Sequence, residues 1–379
     1  MKNFELRNPT KIIFGTDAME KIGQNIIGKK VLVSYGGGSI KKTGIYEKVM
    51  AELKGFDVRE FGGIEPNPRV ETIREVIKKY KDFDPDFLLA IGGGSVIDGT
   101  KLIAASMHYD GDAWDMVTNL SAEPEKYIPF GVVLTLSATG SEMNKGAVIT
   151  NWQTHEKAGF GRVQNYPVFS IIDPQNMFSL SKEQTAYGII DAFSHILEQY
   201  LHTTKDIPLQ DRFAEGILLT LIENAETVLN EPKNYTARAN ISLCATMALN
   251  DLLRSGVDDD WATHAIEHQL SAFYDIPHAA GLAIITPRWM EAVKSQKLNK
   301  FVQYGKRVWN LSGNNEEVAE QSIKKTYDFF ASLGVKMHLK DWDISDEHFP
   351  VMIQRLAERE IGETPLTKNQ IEEILSQSL

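Results

Sequence analysis

The chain has 379 residues, 42% hydrophobic and 24% charged, with a formal net charge of −11. That length provides for two domains with sizeable cores, while the acidic balance excludes nucleic acid and anionic membrane as partners, since no basic excess exists to neutralise phosphate. The single cysteine, Cys244, excludes an intrachain disulfide, and "MKNFELRNPTKIIFG" lacks a signal-type apolar core, so a soluble cytoplasmic protein is expected.

The first half reads as strands alternating with helices. "KKVLVSYGGG" is a β-branched run ending in glycines, and "TGIYEKVMAELKG" behind it has helical spacing. "DVREFGGIEPNP" reads as a strand and loop, "PRVETIREVIKKYKDF" as an amphipathic helix. "FLLAIGGG" is short and wholly apolar, as a strand buried on both faces must be. "SVIDGTKLIAASMHY" follows as a helix, and "PFGVVLTLSATGSE" repeats the strand-to-turn pattern. Repeated βα units predict a mainly parallel sheet with helices on both faces. From about Asp173 helical periodicity takes over, in "SKEQTAYGIIDAFSHILEQYLH", "LQDRFAEGILLTLIENAETVL" and "YTARANISLCATMALNDLL". The expected architecture is therefore an α/β dinucleotide-binding domain over 1–178 and an all-helical domain over 179–379.

The tetrapeptide GGGS occurs twice, at Gly36–Ser39 and Gly92–Ser95. At the carboxyl end of a parallel strand, glycines let backbone N–H groups approach a phosphate, and the following helix end favours negative charge. In the second copy Ser95 is expected to cap its helix, with Asp98 completing a capping box. Backbone donors at Gly93, Gly94 and Ser95 would suffice for a pyrophosphate. In the first copy Lys41 and Lys42 follow Ser39, which suggests a further phosphate near Gly37, Gly38 and Ser39. NADP carries both groups, and no acid stands at 36–39 to hold the ribose hydroxyls of NAD. Tight turns alone would equally account for either glycine run, and the GxGxxG fingerprint is absent.

"DAFSH" puts Asp191 and His195 four residues apart on one helix face, and "HAIEHQLSAFYDIPH" supplies His264, His268 and His278. Histidine is scarce, with nine in all, so their concentration in two segments points to a divalent ion such as Fe²⁺, Zn²⁺ or Mn²⁺. His108, His155, His202, His338 and His348 read as ordinary core or surface residues. His264 and His268 also fit a simple polar helix face.

Together these residues resemble the iron-containing (group III) alcohol dehydrogenases. The resemblance rests on "EPNP", "GGGSVID", "LTLSATGSE", "DAFSH" and the His264–His278 segment. "YGGGSIKKTG", "FGGIEPNP" and "QDRFAEGILLTLIE" look like the branch of butanol dehydrogenases and broad-specificity NADPH-dependent aldehyde reductases. The resemblance implies a cleft between the two domains, a metal held by Asp191, His195, His264 and His278, and His268 turned towards the nicotinamide. It further implies that Gly93, Gly94, Ser95, Asp98, Thr135, Leu136, Thr139 and Lys157 line the cofactor, with Asn67 nearby. Members preferring NAD tend to carry aspartate at the position of Gly37 or Gly38, so NADP(H) is expected over NAD(H). Fe²⁺ is the expected ion, with Zn²⁺ as the alternative, and a homodimer is the family's common state. Glu267, beside His268, departs from many relatives.

The expected reaction is reversible hydride transfer between NAD(P)H and a short-chain aldehyde, with His268 as proton relay and Lys157 as a positive charge beside the cofactor. Two other functions compete. A metal-dependent cyclase or lyase resembling dehydroquinate synthase would need Lys and Arg around its ion for an anionic substrate, whereas "DAFSHILEQY" and "HAIEHQLSAFYDIPH" are apolar or acidic. A non-catalytic nucleotide or metal sensor would bind without turnover. Trp152, Phe160, Phe273 and Tyr274 fit either an apolar substrate wall or ordinary core packing.

Overall fold

A computed structural model describes residues 1–379. The chain divides into two compact units: an α/β unit of Arg7–Leu180 with Glu231–Thr246, and a helical unit of Met1–Leu6, Ser181–Asn230 and Met247–Leu379.

The α/β unit contains β1 (Lys11–Phe14), β2 (Lys30–Tyr35), α1 (Ser39–Lys42), α2 (Ile45–Glu52), β3 (Asp57–Gly62), α3 (Val70–Tyr80), β4 (Phe87–Gly92), α4 (Gly94–Ser106), α5 (Asp115–Thr118), β5 (Phe130–Leu134), β6 (Gly146–Asn151), β7 (Glu156–Gly161) and β8 (Phe169–Ile172). Six strands form one sheet in the order β1-β8-β5-β4-β2-β3, parallel at every pairing. The apolar runs explain its burial. Alternate residues of a strand face opposite sides, so Leu32, Leu88, Ala90, Phe130 and Val132 enter one core layer. Val31, Val33, Leu89, Ile91 and Val133 enter the other. The expected parallel sheet is thus present, and its central strands are closed to water on both faces.

β1 and β8 are only four residues long, and the sequence pattern did not single them out. The same holds for the antiparallel hairpin of β6 and β7, whose buried residues are interspersed with exposed ones. That hairpin braces its surroundings. Thr150 N, on β6, donates to Pro68 O at 2.9 Å, strapping the "EPNP" loop beside β6.

The helical unit holds α6 (Lys182–Tyr200), α7 (Pro208–Asn230), α9 (Ala262–Tyr274), α10 (His278–Val293), α11 (Leu298–Arg307), α12 (Asn315–Ser332), α13 (Phe349–Glu358) and α14 (Lys368–Ser378); α8 (Tyr235–Ala248) precedes α9 and, up to Thr246, packs with the α/β unit. This differs from a helical half running unbroken from 179 to 379. The reason is chemical: Ser242 Oγ bonds Ser137 Oγ at 2.9 Å, and Thr246 Oγ1 donates to Glu142 Oε1 at 2.6 Å. Helical periodicity reveals a buried face but not which core covers it.

α6 starts at a capping box in which Ser181 Oγ accepts from Gln184 N at 3.1 Å and Gln184 Oε1 accepts from Ser181 N. From Gly188 to Tyr200 every residue of α6 is buried, and α10 packs against α6, α9, α12 and α14. The mid-point of α6 therefore carries its polar side chains, Asp191 and His195, into the core of the unit. No helix is long and apolar enough to cross a membrane.

Candidate metal centre

Three elements of the helical unit deliver the polar cluster. Asp191 and His195 lie one turn apart on α6, His264 and His268 one turn apart on α9, and His278 is the first residue of α10. The chain reverses between α9 and α10 through Asp275, at φ 53°, and Pro277. Asp191, His195 and His264 are 2%, 4% and 6% exposed, and His268 and His278 are half-buried.

The donor atoms converge. His195 Nδ1 lies 3.4 Å from Asp191 Oδ1, and His278 Nε2 lies 3.7 Å from the same oxygen. The rings of His264 and His195 stack at 4.6 Å, and those of His264 and His278 approach to 5.3 Å. A tetrahedral ion with bonds of about 2.1 Å needs ligand atoms about 3.4 Å apart, so the separations fit. His195 Nδ1 is buried and makes no hydrogen bond. Burial, reinforced by the charge of His264, drives the His195 imidazole well below its ordinary pKa, which keeps it in the neutral form that a metal ligand requires. One carboxylate and three imidazoles suit a borderline divalent ion.

Two carboxylates that the sequence did not assign hold this set in place. Glu198, fully buried on α6, bonds His264 Nδ1 through Oε2. Through Oε1 it accepts from Thr263 N at 2.5 Å and His264 N at 3.4 Å. It so caps α9, whose N-cap residue Trp261 has φ 64° and no side-chain cap of its own. Burial pushes the Glu198 carboxyl up to about 8. Glu267, also fully buried, bonds His278 Nδ1 through Oε2 and accepts from Ser271 Oγ through Oε1. Each of these glutamates follows one candidate ligand histidine by three residues and grips the next candidate along the chain. A carboxylate on Nδ1 leaves the Nε2 lone pair for an ion. Glu267, His268 and His278 also have ligand-type atoms grouped together, but Nδ1 of His278 is occupied by Glu267.

In the α/β unit the two glycine turns differ. α4 begins at Gly94, with Gly93 as an extended N-cap and no side-chain cap. Ser95 therefore does not cap the helix, contrary to expectation, because it already lies in the first turn. Nor does Asp98 close a capping box. Its Oδ1 accepts from Ser141 Oγ at 2.5 Å and its Oδ2 from Val148 N at 2.8 Å. A Cβ on Gly94 would lie 2.5 Å from Thr139, and one on Gly93 3.0 Å from Leu136 Cβ. These glycines are required by the close approach of the segment after β5, which brings Thr135, Leu136 and Thr139 beside the turn. Thr135 N bonds Gly92 O at 3.0 Å.

The first turn is open: nothing lies within 4 Å of a Cβ built on Gly37 or Gly38, and Gly38 has φ 88°. Lys41, however, is engaged. Its Nζ lies 3.5 Å from Glu60 Oε1 and over the rings of Tyr35 and Tyr46 at 4.9 and 4.6 Å. Of the two lysines only Lys42 points its charge to solvent without such company. Lys157 is buried on β7, with Nζ donating to Asn67 Oδ1 at 3.0 Å, and Asn67 sits in the left-handed region at φ 52°.

The sequence missed Lys101. Wholly buried on α4, it donates from Nζ to Ser141 O, Ser141 Oγ, Asn144 Oδ1 and Gly146 O at 2.6–3.0 Å. Burial pushes its amine down to about 8, against the pull of Asp98 and Glu142. Burial raises the carboxyls of Asp98 and Glu142 in turn. The aromatic candidates are committed to packing: Arg69 covers Trp152 at 4.3 Å, Phe160 belongs to the core, and the rings of Phe273 and Tyr274 lie against His348.

Comparison with known proteins gives the family. Residues 9–174 match the family described as "Iron-containing alcohol dehydrogenase", and 185–379 match "Fe-containing alcohol dehydrogenase family, C-terminal". The chain is 46% identical to a probable NADH-dependent butanol dehydrogenase of Bacillus subtilis, with 100% of each chain covered. It is 45% identical to the NADPH-dependent aldehyde reductase YqhD of Escherichia coli, over 97% of this chain and 96% of that one. A solved structure of NADH-dependent butanol dehydrogenase A from Thermotoga maritima superposes with a TM-score of 0.95 at 40% identity, covering 100% of this chain and 99% of that one. Matched along both halves and carrying the clustered aspartate and histidines, the chain belongs to the iron-containing alcohol dehydrogenase family.

Proposed function

We propose that this oxidoreductase reduces short-chain aldehydes to alcohols with NADPH as the preferred donor, using a divalent ion, Fe²⁺ or alternatively Zn²⁺, held by Asp191, His195, His264 and His278. The observation that supports the reading is the buried grouping of Asp191, His195 and His264, with the half-buried His278 bringing Nε2 to 3.7 Å from Asp191 Oδ1. Such an ion supplies a Lewis acid for a carbonyl oxygen, and a reduced nicotinamide supplies hydride. Glu198 and Glu267 keep the imidazoles oriented. His268, its ring 5.7 Å from that of His278, is assigned the proton delivered from a ring nitrogen to the product oxygen. Trp261 packs on His195 and His264 at 6.1 and 5.2 Å, and the ligand-bearing stretches of α6 and α9 carry no Lys or Arg, which supports a small uncharged substrate over an anionic one.

On the cofactor side, the reading assigns Gly93, Gly94, Ser95, Thr135, Leu136 and Thr139 to the pyrophosphate and its flanks. Asn67 and Lys157 are assigned as a bonded pair beside the cofactor. Asp98 enters through its bonds to Ser141 and Val148. The curated relatives divide between NADH and NADPH. The preference for NADPH rests on the open, acid-free turn at Gly37, Gly38 and Ser39. Gly37→Asp tests it, since the site has room for the side chain and Gly37 is not in the left-handed region. The expected result is at least a tenfold shift in the kcat/KM ratio towards NADH; an unchanged ratio would move the discrimination to Glu60 and Lys41.

The experiment for the whole reading is aldehyde-dependent NADPH oxidation, across C2 to C6 aldehydes, by metal-loaded and chelator-stripped protein. Activity confined to the loaded form is expected. Full turnover by a sample shown to be metal-free would overturn it, and faster turnover with NADH would overturn the cofactor preference.

A further inference from the structure

His278 is the least supported of the four ligands. His195 and His264 are held within buried helices, whereas His278 opens α10 directly after a turn, with its side chain 23% exposed. Its ring is anchored to the core by the fully buried Glu267 on Nδ1. Glu267 is itself confined. Ser271 Oγ donates to its other oxygen. On the α10 side the Glu267 stem fills the space beside Gly281: a Cβ built on Gly281 would lie 2.7 Å from Glu267 Cγ, 3.1 Å from Oε1 and 3.4 Å from Cδ. A helix interior disfavours glycine by about 1 kcal/mol relative to alanine. Here alanine would collide with the carboxylate arm that orients His278.

We propose that Glu267 is a positioning residue which sets how tightly this protein retains its ion, by fixing His278, and that Gly281 is present to give the Glu267 side chain room. The inference rests on the metal reading above and deepens it. Glu267 does not reach the ion; it accepts the Nδ1 proton of His278 and so directs Nε2 towards Asp191. A second effect has the same sign: the carboxylate adds negative charge around a dication that Asp191 alone does not neutralise. Outer carboxylates of this kind typically change metal affinity 10- to 100-fold. The pair also makes a prediction that a merely structural glutamate does not. If Gly281 acts through Glu267, the two positions must be coupled, because shortening Glu267 removes the atoms with which a Cβ on Gly281 collides.

The test measures metal rather than turnover. Wild type, E267Q, E267A, G281A and the double variant E267A/G281A are loaded with Zn²⁺ or Fe²⁺, titrated with a competing chelator, and assayed for bound metal. E267Q keeps the side chain's volume and loses only its charge, so it guards against a folding defect in E267A; melting curves of the stripped proteins provide the same control. The expected result is a 10- to 100-fold loss of affinity in E267Q and E267A and a comparable loss in G281A. Adding G281A to E267A should cost less than about threefold more. Affinity in E267Q within twofold of wild type would overturn the proposal, and so would a G281A loss that multiplies in full with that of E267A. The two readings fail separately: wild type that binds metal and turns over aldehyde while E267Q holds metal equally well sinks the inference alone. Wild type active without metal sinks the proposed function.

Discussion

Asp191→Asn is expected to leave the protein folded and to lower kcat/KM for aldehyde by at least about a thousandfold. Asp191 is the one carboxylate among the four proposed ligands, and its Oδ1 lies 3.4 Å from His195 Nδ1 and 3.7 Å from His278 Nε2. Asparagine matches its volume, so the core around α6 keeps its packing. It removes the negative charge, however, and its amide can offer N–H groups where three imidazoles already offer lone pairs or protons. Three neutral imidazoles alone hold a hard or borderline dication less firmly than the mixed set. With the ion lost, several kcal/mol of stabilisation of developing oxygen charge go with it; about 4 kcal/mol corresponds to the thousandfold stated. Elemental analysis should show the metal gone, the melting temperature of the stripped variant should stay close to that of stripped wild type, and NADPH affinity, assigned to the α/β unit, should not change. Near-normal turnover in a metal-free Asp191→Asn sample would remove the ion from the reaction.

Much of this site can be read in the amino-acid sequence, for a definite reason. Side chains that share a helix face recur at i and i+3 or i+4, and Asp191/His195 and His264/His268 show the i+4 spacing without any structure, although only the first pair is assigned wholly to the ion. β4 could be recognised because a strand buried on both faces needs six consecutive apolar or small residues, and "FLLAIG" supplies them. What escaped notice depends on contacts distant in the chain. Glu198 looks like any acidic residue of an amphipathic helix; that it caps α9 and grips His264 depends on the first turn of α9, 66 positions away, being brought to its carboxyl group. Asp98 has the spacing of a capping box, yet Val148 and Ser141 claim both its oxygens. Ser95 has the right chemistry for a cap but stands one residue too late. α8 has the periodicity of its neighbours and sits in the other unit because of Ser137 and Glu142. Local spacing fixes which side chains share a face, while the partner of that face is a tertiary fact.

Lys101→Met should cost the protein about 3–5 kcal/mol, the usual effect of removing one member of a buried charged network. Lys101 is 0% exposed, and its ammonium reaches four acceptors, of which Ser141 O, Ser141 Oγ and Gly146 O lie within 2.8 Å. Methionine follows the lysine stem closely in shape, so the loss is not one of volume. It lies in the polar end: buried Asp98 and Glu142 lose their nearby cation, and the carbonyls of Ser141 and Gly146 lose a donor where water does not replace it. For a unit of this size, each kcal/mol moves the midpoint by about 2–4 °C, so a fall of about 10 °C is expected by calorimetry. The damage should also reach the cofactor side. Residues 141–146 join the Thr139 turn that packs on Gly94 to the β6–β7 hairpin that carries Lys157, and Lys101 is the clamp between them. KM for NADPH should therefore rise by more than kcat falls, while metal content should stay at the wild-type level because all four proposed ligands lie in the helical unit. Lys101→Arg keeps the charge but must fit a planar fork into a site shaped for a compact ammonium, so partial recovery of KM with little recovery of stability is expected. A Lys101→Met protein melting within about 2 °C of wild type would mean that Asp98 and Glu142 are neutral in the folded chain and that the network needs no cation.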